Sequence, residues 1–157
     1  MAGGKWTTYR HMAEDLINTA ETMGGLESRP CTTKDLNIHG YHQHAEQFED
    51  LSHYGSDAVE VAKLLKSEGN GQRVHPDLNL RYGEVRWAAR YEMARTVDDV
   101  LARRSRSLLF HAKAASEAAP TVAQILAEEL SRPASWIEEQ VSDFQTLAQN
   151  YQVEYLV

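Results

Sequence analysis

A short glycine-rich string near the start of the sequence has the residue types for binding negative charge. The string reads Gly3-Gly4-Lys5-Trp6-Thr7-Thr8-Tyr9-Arg10. Its glycines let the backbone approach a ligand closely, and the helical pattern that follows begins with free N–H groups carrying about half a unit of positive charge. Because Lys5 adds a full positive charge, the string suits an anion or a carbonyl oxygen that gains negative charge during a reaction. On these residues alone, a flexible arm before a capped helix is the more common interpretation.

Three histidines and one cysteine are the other residues that could bind a metal or act as a nucleophile. His39, His42 and His44 lie close enough in sequence to share an ion, but the pattern lacks a defined set of four ligands. Cys31 has no base or orienting acid at a meaningful spacing. We therefore predict no metal site and no catalytic cysteine. The histidines are placed at surface or linker positions, and Cys31 is expected to be a small buried group.

The length, composition and charge of the chain indicate one helical domain, with or without an appended arm, and exclude several classes of protein. None of the apolar runs in its 157 residues approaches the ~20 needed to span a bilayer, and the first residues lack a secretory signal. A single cysteine cannot form an internal disulfide, which favours a reducing cytosolic setting. The net charge of −7 argues against a general nucleic-acid binder, whose affinity comes largely from neutralised phosphates.

Helical periodicity dominates the sequence, and we predict an all-α fold. The first apolar stripe repeats at three- and four-residue intervals, with Thr7 or Thr8 as its N-cap and Gly24-Gly25 as its stop. The stripe consists of Tyr9, Met12, Ala13, Leu16, Ile17 and Ala20. Residues from about 26 to 42 show no sustained period and include a proline, so this stretch is interpreted as a linker.

The remaining helices follow one another closely. We predict a short helix at 44–53 closed by Gly55, one beginning near residue 57 and ending at Gly69-Asn70-Gly71, and a longer one at about 80–94. Thr96, followed by two acids, is a helix start. Residues 108–118 form an alanine-rich helix, and Pro120 suits the first position of another. The final helix carries Ile137, Val141, Phe144, Ala148, Tyr151 and Tyr155.

Two groups of side chains in the helical part have both a structural and a functional interpretation. An arginine cluster could contact a phosphate, a membrane or a partner protein, but pairing with neighbouring acids at a helix junction is favoured. The cluster is Arg95, Arg103, Arg104 and Arg106, and the acids are Glu84, Glu92, Asp98 and Asp99. The aromatic residues at helical spacing are predicted to be core, with a membrane-facing surface as the alternative. They are Trp87, Trp136, Tyr82, Tyr91 and Phe144.

The glycine-rich string resembles the closing motif of the flavin domain in FAD-dependent glycerol-3-phosphate dehydrogenases and the related glycerophosphate oxidases. Its pattern is Gly-Gly-Lys-x-Thr-Thr-Tyr-Arg. Further stretches resemble that family in the order in which the family would place them, and together they cover essentially the whole chain. The most specific is the run at 92–106, which begins Glu-Met-Ala-Arg-Thr-Val. The others are residues 31–33 and 36–40, Tyr54-Gly55, residues 84–88, residues 118–120 and the final aromatic helix.

The resemblance implies a domain order and an activity. Residues 1–27 would be the C-terminal strip of an FAD-binding oxidoreductase domain, with a helix at about 7–23. Residues 28–42 would be a linker, and residues 43–157 the all-helical C-terminal domain. The parent enzyme would oxidise sn-glycerol 3-phosphate to dihydroxyacetone phosphate by hydride transfer to flavin N5. The electrons would pass on to a quinone, or to oxygen in the oxidases.

The resemblance also implies roles for the glycine-rich string. Its backbone N–H groups would stabilise negative charge at the O2 edge of the flavin ring. The residues placed against the ring are Gly3, Gly4, Lys5, Thr7 and Thr8. Lys5 would also lie near the substrate, where a cation attracts the phosphate, and Arg10 would support that position.

The sequence departs from that family in lacking a dinucleotide-binding unit. A Gly-x-Gly-x-x-Gly turn after a strand should precede this segment by hundreds of residues, whereas Gly69-Asn70-Gly71 ends a helix. The start therefore reads as one placed inside a longer protein. We expect this chain alone to bind no FAD and to be inactive, with the upstream FAD-binding domain of the same polypeptide as its partner. The full enzyme would be cytoplasmic, peripheral on the cytoplasmic face of the membrane, and able to form a homo-oligomer.

Two other classes of function stay open from the sequence. A free-standing helical protein-interaction module would need no flavin. This alternative predicts a native stop codon just upstream of Met1. An arginine-rich helical DNA binder is the weaker alternative, because the chain carries a net charge of −7.

Overall fold

The computed structural model describes residues 2–152, and their contacts fall into two compact units, Met1–Tyr41 and His42–Val157. Apart from one isolated bridge between Arg73 and Arg81, all regular structure in the described residues is helical, which confirms the all-α prediction. No helix within 2–152 is long and apolar enough to cross a membrane. The assignment of residues 1–27, 28–42 and 43–157 to particular domains of an enzyme stays a prediction.

The first unit contains one regular element, helix α1 (Tyr9–Gly24). The helix ends where the sequence predicts, because Gly25 adopts the left-handed conformation (φ 59°) and its N–H donates to the Glu21 carbonyl. No residue of α1 is buried, and Leu16 and Ile17 of its apolar stripe are about half exposed. The helix therefore forms without a core of its own in this unit.

The second unit contains seven helical elements within the described residues. They are a run of 3-10 turns (Ala45–Asp57), α2 (Ala58–Lys66), α3 (Tyr82–Tyr91), a π-helical segment (Asp99–Arg104), α4 (Ser107–Phe110), α5 (Ala112–Leu130) and α6 (Ala134–Gln149). The 3-10 run is broken at Glu49 and Gly55, both with positive φ. Helix α3 is shorter than the predicted 80–94, because Arg81 occupies its N-cap and Met93 turns left-handed after its last residue.

Helix α5 lies at the centre of the main core, in contact with α3, α4 and α6. Its buried residues are Ala114, Ala115, Ala118, Ala119, Val122, Ala123, Ile125, Leu126 and Ala127. Six of these nine are alanines, whose small side chains let neighbouring helices approach closely. A smaller cluster of Leu51, Ala58, Val61 and Trp87 joins the 3-10 run and α2 to α3.

The prediction that Pro120 begins a new helix is wrong, because α5 runs through it without a break. Proline has no N–H, so the carbonyl of Ser116 loses its usual partner four residues along the helix. The side chain of Gln145 on α6 replaces that partner, with its Nε2 donating to the Ser116 oxygen at 3.5 Å. Pro120 itself is exposed, which leaves its ring clear of the core.

The aromatic side chains are only partly where the sequence places them. Trp87 and Phe144 are buried, and Tyr82 and Trp136 pack at the edge of the core. Tyr91 is 64% exposed, so its assignment to the core is wrong: it is the last residue of α3, where the helix has already left the interior. Of the residues predicted for the final helix, Tyr151 lies half exposed beyond its end, and Tyr155 lies outside the described residues.

The buried carboxylate of Glu84 links the 3-10 run to the start of α3 through hydrogen bonds. Glu84 is 5% exposed, and its Oε2 accepts the backbone N–H of Arg81 at 3.0 Å. The Tyr54 hydroxyl donates to its Oε1 at 3.2 Å, while the Arg81 guanidinium pairs with both Asp50 and Glu84. Burial raises the pKa of Glu84, and the bonds from Arg81 and Tyr54 only partly oppose that rise.

A second polar junction ties α3 to α5. Glu129 accepts two hydrogen bonds from Arg90, at 2.6 and 2.8 Å, and one from Arg86 at 2.7 Å. Arg86 also reaches Glu128 at 2.9 Å and Asn70 at 3.1 Å. The bonds from Arg90 outweigh partial burial and lower the pKa of Glu129. The ionised carboxylate thus holds two guanidinium groups beside the helix contact.

The bond between Gln145 and Ser116 should matter only while Pro120 is present. We expect Pro120→Ala to raise the free energy of unfolding by ~1–3 kcal/mol, because alanine restores the helical hydrogen bond and removes the steric conflict. Gln145→Ala should cost ~0.5–1 kcal/mol in the natural chain and clearly less in the Pro120→Ala background. Urea unfolding of the two single variants and the double variant measures both effects. Additive effects would contradict the proposed substitution of one hydrogen bond for another.

The buried carboxyl of Glu84 should make stability depend on pH. Because its folded pKa is raised above the ordinary 4.5, its contribution is complete below that value and is lost as pH rises through the folded pKa. The stability of Glu84→Gln relative to the natural chain should therefore increase between about pH 4.5 and 8. Urea unfolding across this range is the measurement. Tyr54→Phe removes a donor to the carboxylate, so it should raise the folded pKa of Glu84 further and extend the loss of stability to higher pH. Parallel profiles for Glu84→Gln and the natural chain would contradict the assignment.

Candidate functional site

The turn at Gly3 and Gly4 needs glycine at both positions. Their φ angles are +86° and +114°, a region that other residues rarely adopt. At Gly4 a Cβ atom would also meet the end of the flexible Met12 side chain, which would have to move. The backbone consequently turns tightly over the first turns of α1, and sequence reasoning supplied the glycines but not the contact with Met12.

The start of α1 leaves its first N–H groups without a side-chain cap. Thr8 occupies the N-cap position, as one of the two predicted candidates, but its hydroxyl donates to the Lys5 carbonyl at 3.2 Å and accepts the Lys5 N–H at 3.3 Å. The first turn of α1 also contains no acidic residue. The N–H groups of that turn are therefore available to an anion or a partly negative oxygen.

Lys5 and Trp6 are the exposed side chains of this turn. Within residues 2–152 the Lys5 ammonium has no ion-pair partner, and Trp6 stacks on Tyr9 with ring centroids 5.3 Å apart. Thr7 follows Trp6 in the chain and is also exposed. The turn thus combines one free cation, uncapped helix N–H groups and an exposed aromatic pair. This combination can hold negative charge beside a flat ring.

Arg10 faces away from an open anion site and into a local cluster. Its Nη1 donates to Glu14 at 2.7 Å and to the Cys31 sulfur at 3.7 Å, and its Nη2 lies 2.7 Å from His11 Nδ1. The bond with Glu14 raises the pKa of Arg10 and lowers that of Glu14. In this arrangement Arg10 links α1 to the segment around Cys31. Glu14 was missed in the sequence, although its spacing of four from Arg10 is a recognisable signal.

The histidines and Cys31 form no metal cluster among the residues that the structure describes. His42 stacks edge-on against Phe48, and its ring accepts the backbone N–H of His44 at 3.1 Å. The expectation that Cys31 is buried is wrong, because it is exposed in a segment without regular structure, and its sulfur lies 3.1 Å from the Thr33 hydroxyl. These contacts give each of the named side chains a local structural role.

Two of the four arginines in the cluster pair with neighbouring acids, as the favoured interpretation predicts. Arg103 pairs with Asp98 at 2.5 Å and with Asp99 at 2.8 Å, and Arg104 pairs with Glu92. The remaining members behave differently. Arg95 donates to the carbonyls of Ala89 and Ala94, and Arg106 is exposed in a left-handed conformation. Glu84 is not a partner of this cluster, because Arg81 and Tyr54 engage it instead.

Thr96 and Asp99 cap the π-helical segment in the way that the sequence predicts. The Thr96 hydroxyl accepts the Asp99 N–H at 3.1 Å, and the Asp99 carboxylate accepts the N–H groups of Thr96 and Arg95. Partial burial opposes ionisation of Asp99, but these bonds outweigh it and lower its pKa. The capping residues also line an open pocket of about 440 Å³ together with Gln140 and Asp143. Three of its charged side chains, Asp98, Asp99 and Arg103, are already engaged in the cap and in ion pairs.

Comparison with known proteins gives one family and a consistent set of relatives. Residues 2–140 match the family described as the C-terminal domain of alpha-glycerophosphate oxidase. A probable mitochondrial glycerol-3-phosphate dehydrogenase of Caenorhabditis elegans is 38% identical over 83% of this chain and 21% of its own length. The human mitochondrial enzyme is 33% identical over 83% of the chain and 21% of its length. No solved structure gives a significant match.

The chain spans about a fifth of the length of the curated relatives that it matches; for the Arabidopsis thaliana enzyme, which is 34% identical, the share is 25%. The family match nevertheless covers most of the chain, from the glycine-rich turn into the first half of α6. The all-α fold agrees with a separate helical domain. The chain therefore belongs to the family of C-terminal domains found in glycerol-3-phosphate oxidases and dehydrogenases.

Proposed function

We propose that this chain is the C-terminal part of an FAD-dependent glycerol-3-phosphate dehydrogenase. The complete enzyme oxidises sn-glycerol 3-phosphate to dihydroxyacetone phosphate and delivers the electrons to a quinone. The observation that carries the proposal is the family match over residues 2–140, since relatives named glycerol-3-phosphate dehydrogenase contain this segment within a much longer chain. In this proposal the helical unit supports the fold of the enzyme and does not carry out its chemistry.

The fit of the chain to a flavin is limited to the glycine-rich turn. Gly3, Gly4 and Lys5 with the uncapped start of α1 can hold one electronegative edge of a ring, and Thr7 and Thr8 lie within the same turn. The sequence contains no Gly-x-Gly-x-x-Gly unit for the rest of the cofactor. A bound flavin supplies the acceptor for the hydride that leaves C2 of the substrate. The contribution of this chain is to stabilise negative charge beside that reaction.

Lys5 is the side chain of the turn that we assign to charge stabilisation. Its ammonium is exposed and has no ion-pair partner among residues 2–152, so it is available to the substrate phosphate or to the cofactor. Arg10 is assigned a supporting role, because Glu14 and Cys31 already engage its guanidinium. The cluster around Arg10 links the first turns of α1, which follow Lys5 in the chain, to the segment around Cys31.

We assign the helical unit a structural role. Many of its carboxylates and arginines take part in the polar contacts around Glu84, Asp99 and Glu129. Among the described residues, we identify no group of side chains arranged for catalysis. The partner is the upstream FAD-binding domain, and a homo-oligomer of the whole enzyme is compatible with this role. The complete enzyme would lie at a membrane surface to meet its quinone. A cytoplasmic location stays a prediction, because the relatives are named mitochondrial.

Substitution of Lys5 tests the role of the turn. In the longer polypeptide, anaerobic glycerol 3-phosphate should bleach the flavin absorbance, and Lys5→Met should lower the rate of bleaching by ~10–100-fold because a positive charge at the reacting site is lost. Lys34→Met is the matched control, since Lys34 is an exposed lysine of the same unit. Its rate should stay within about twofold of the natural enzyme. Equal rates for both variants would remove Lys5 from the site, and a flavin that glycerol 3-phosphate does not bleach would overturn the proposed reaction.

The chain by itself should bind no FAD. The glycine-rich turn can contact only one edge of the flavin ring, which is a small part of the contacts that a dinucleotide needs. The purified chain should therefore be colourless after incubation with excess FAD and gel filtration. The measurement is the absorbance near 450 nm relative to that of the protein. Stoichiometric flavin in the protein fraction would show that the chain carries a complete cofactor site and would contradict the structural role.

A further inference from the structure

The hydroxyl of Thr8 does not do what a threonine at the start of a helix ordinarily does. A threonine in that position usually has an extended backbone, and its side chain accepts the N–H of the second or third helical residue. Thr8 instead has φ −117° and ψ −3°, and its side chain makes no cap bond. Its Oγ1 accepts the Lys5 N–H at 3.3 Å and donates to the Lys5 carbonyl at 3.2 Å. One side chain thus binds both backbone polar groups of Lys5.

The backbone of Lys5 has few other constraints. Among residues 2–152, every hydrogen bond of that backbone is made with Thr8, and the third is the Thr8 N–H donating to the Lys5 carbonyl at 2.9 Å. On the N-terminal side lie Gly3 and Gly4, which have no side chain to restrict their conformation. The orientation of Lys5 therefore depends on Thr8, and two of the three bonds belong to the hydroxyl.

Thr8 is itself held by helix α1. Its carbonyl accepts the Met12 N–H at 3.1 Å, and its Oγ1 lies 3.8 Å from the Met12 sulfur. The end of the Met12 side chain also lies against Gly4, on the other side of the turn. Groups supported by a helix are positioned more precisely than groups on a free loop. The hydroxyl of Thr8 consequently ties the orientation of Lys5 to that of α1.

We infer that Thr8 is a positioning residue, whose hydroxyl fixes Lys5 at the start of α1 so that Lys5 can stabilise the negative charge of a reduced flavin. The inference rests on the proposed function, because it takes the flavin as the source of that charge. It differs from the role that the resemblance implies for Thr8, in which the residue lies against the ring. The Thr8 hydroxyl acts through Lys5, to which it is already bonded.

Two substitutions isolate the contribution of the hydroxyl. Thr8→Val keeps the branched shape of the side chain and removes the hydroxyl, whereas Thr8→Ser keeps the hydroxyl. Because the natural side chain caps no N–H group of α1, the valine variant loses no cap. Thr19→Val is the matched control, since Thr19 is an exposed threonine of α1 whose hydroxyl donates to the Asp15 carbonyl at 2.9 Å, away from the turn.

The first measurement is the exchange of the Lys5 amide hydrogen with solvent, followed by NMR in the 157-residue chain without flavin. We expect exchange about threefold or more faster in Thr8→Val, because the amide loses its acceptor. Thr8→Ser and Thr19→Val should stay within about twofold of the natural chain, since both leave a hydroxyl at residue 8. Equal rates in Thr8→Val and the natural chain would show that the hydroxyl does not hold Lys5 and would overturn the inference.

The second measurement is the midpoint potential of the flavin in the longer polypeptide, titrated with dithionite and a reference dye. Thr8→Val should lower the potential, because the negative charge of the reduced ring is less well stabilised when Lys5 is displaced. Thr8→Ser and Thr19→Val should leave it unchanged, and a loss of stability alone would not move it. In the Lys5→Met background Thr8→Val should add little, since it acts through Lys5. An unshifted potential, or an equal shift in that background, would overturn the inference.

The outcome can be separated from that of the proposed reaction, because the potential is titrated without substrate. Flavin bleaching by glycerol 3-phosphate is read by absorbance in the same polypeptide. A lowered potential in Thr8→Val, in a protein whose flavin glycerol 3-phosphate does not bleach, would support the positioning role and refute the substrate. Bleaching of the natural enzyme together with an unshifted potential in Thr8→Val would support the proposed function and refute the positioning role.

Discussion

The packing of the helical unit depends on how closely other helices can approach α5. Its buried face is built largely from alanine, so the axes of its neighbours are limited by backbone contact more than by side-chain volume. Such a face tolerates little enlargement, because a bulky residue would separate α3, α4 and α6 at once. The few larger side chains, such as Val122, Ile125 and Leu126, fill the spaces that the alanines leave.

Around this apolar centre, charged side chains form ion pairs and hydrogen bonds that link elements far apart in the sequence. Glu129 joins α5 to two arginines of α3, and Glu84 joins α3 to the 3-10 run through Tyr54 and Arg81. The longest run that resembles the dehydrogenase family, residues 92–106, includes the arginines and acids that pair around the π segment. A specific sequence signature in this unit therefore includes residues that pair with one another to hold the fold.

The first unit presents a different situation, because its local structure is well defined although it has little interior. Positive φ at two glycines, the turn closed by Thr8 and the Arg10–Glu14 pair are all contacts within a few residues of one another. Helix α1 nevertheless leaves its apolar stripe exposed. The turn is therefore formed by local contacts alone, whereas the apolar stripe beside it has nothing packed over it within this unit.

The sequence by itself determined what depends on near neighbours. Helical period, the stop at Gly25, the cap of Thr96 on Asp99 and the glycine turn at Gly3 all follow from interactions across three or four residues. It did not reveal that a proline could lie inside α5, because the replacement hydrogen bond comes from Gln145, 29 residues away.

The same limit applies to the exposed and buried groups of the helical unit. Whether Tyr91 is buried depends on where α3 leaves the core, and the partner of Glu84 depends on a tyrosine 30 residues earlier. Local hydrogen bonding and periodicity can be read from the chain, since their partners are fixed by spacing. Only the tertiary structure decided which distant groups meet, because burial and pairing over tens of residues depend on how all the helices pack at once.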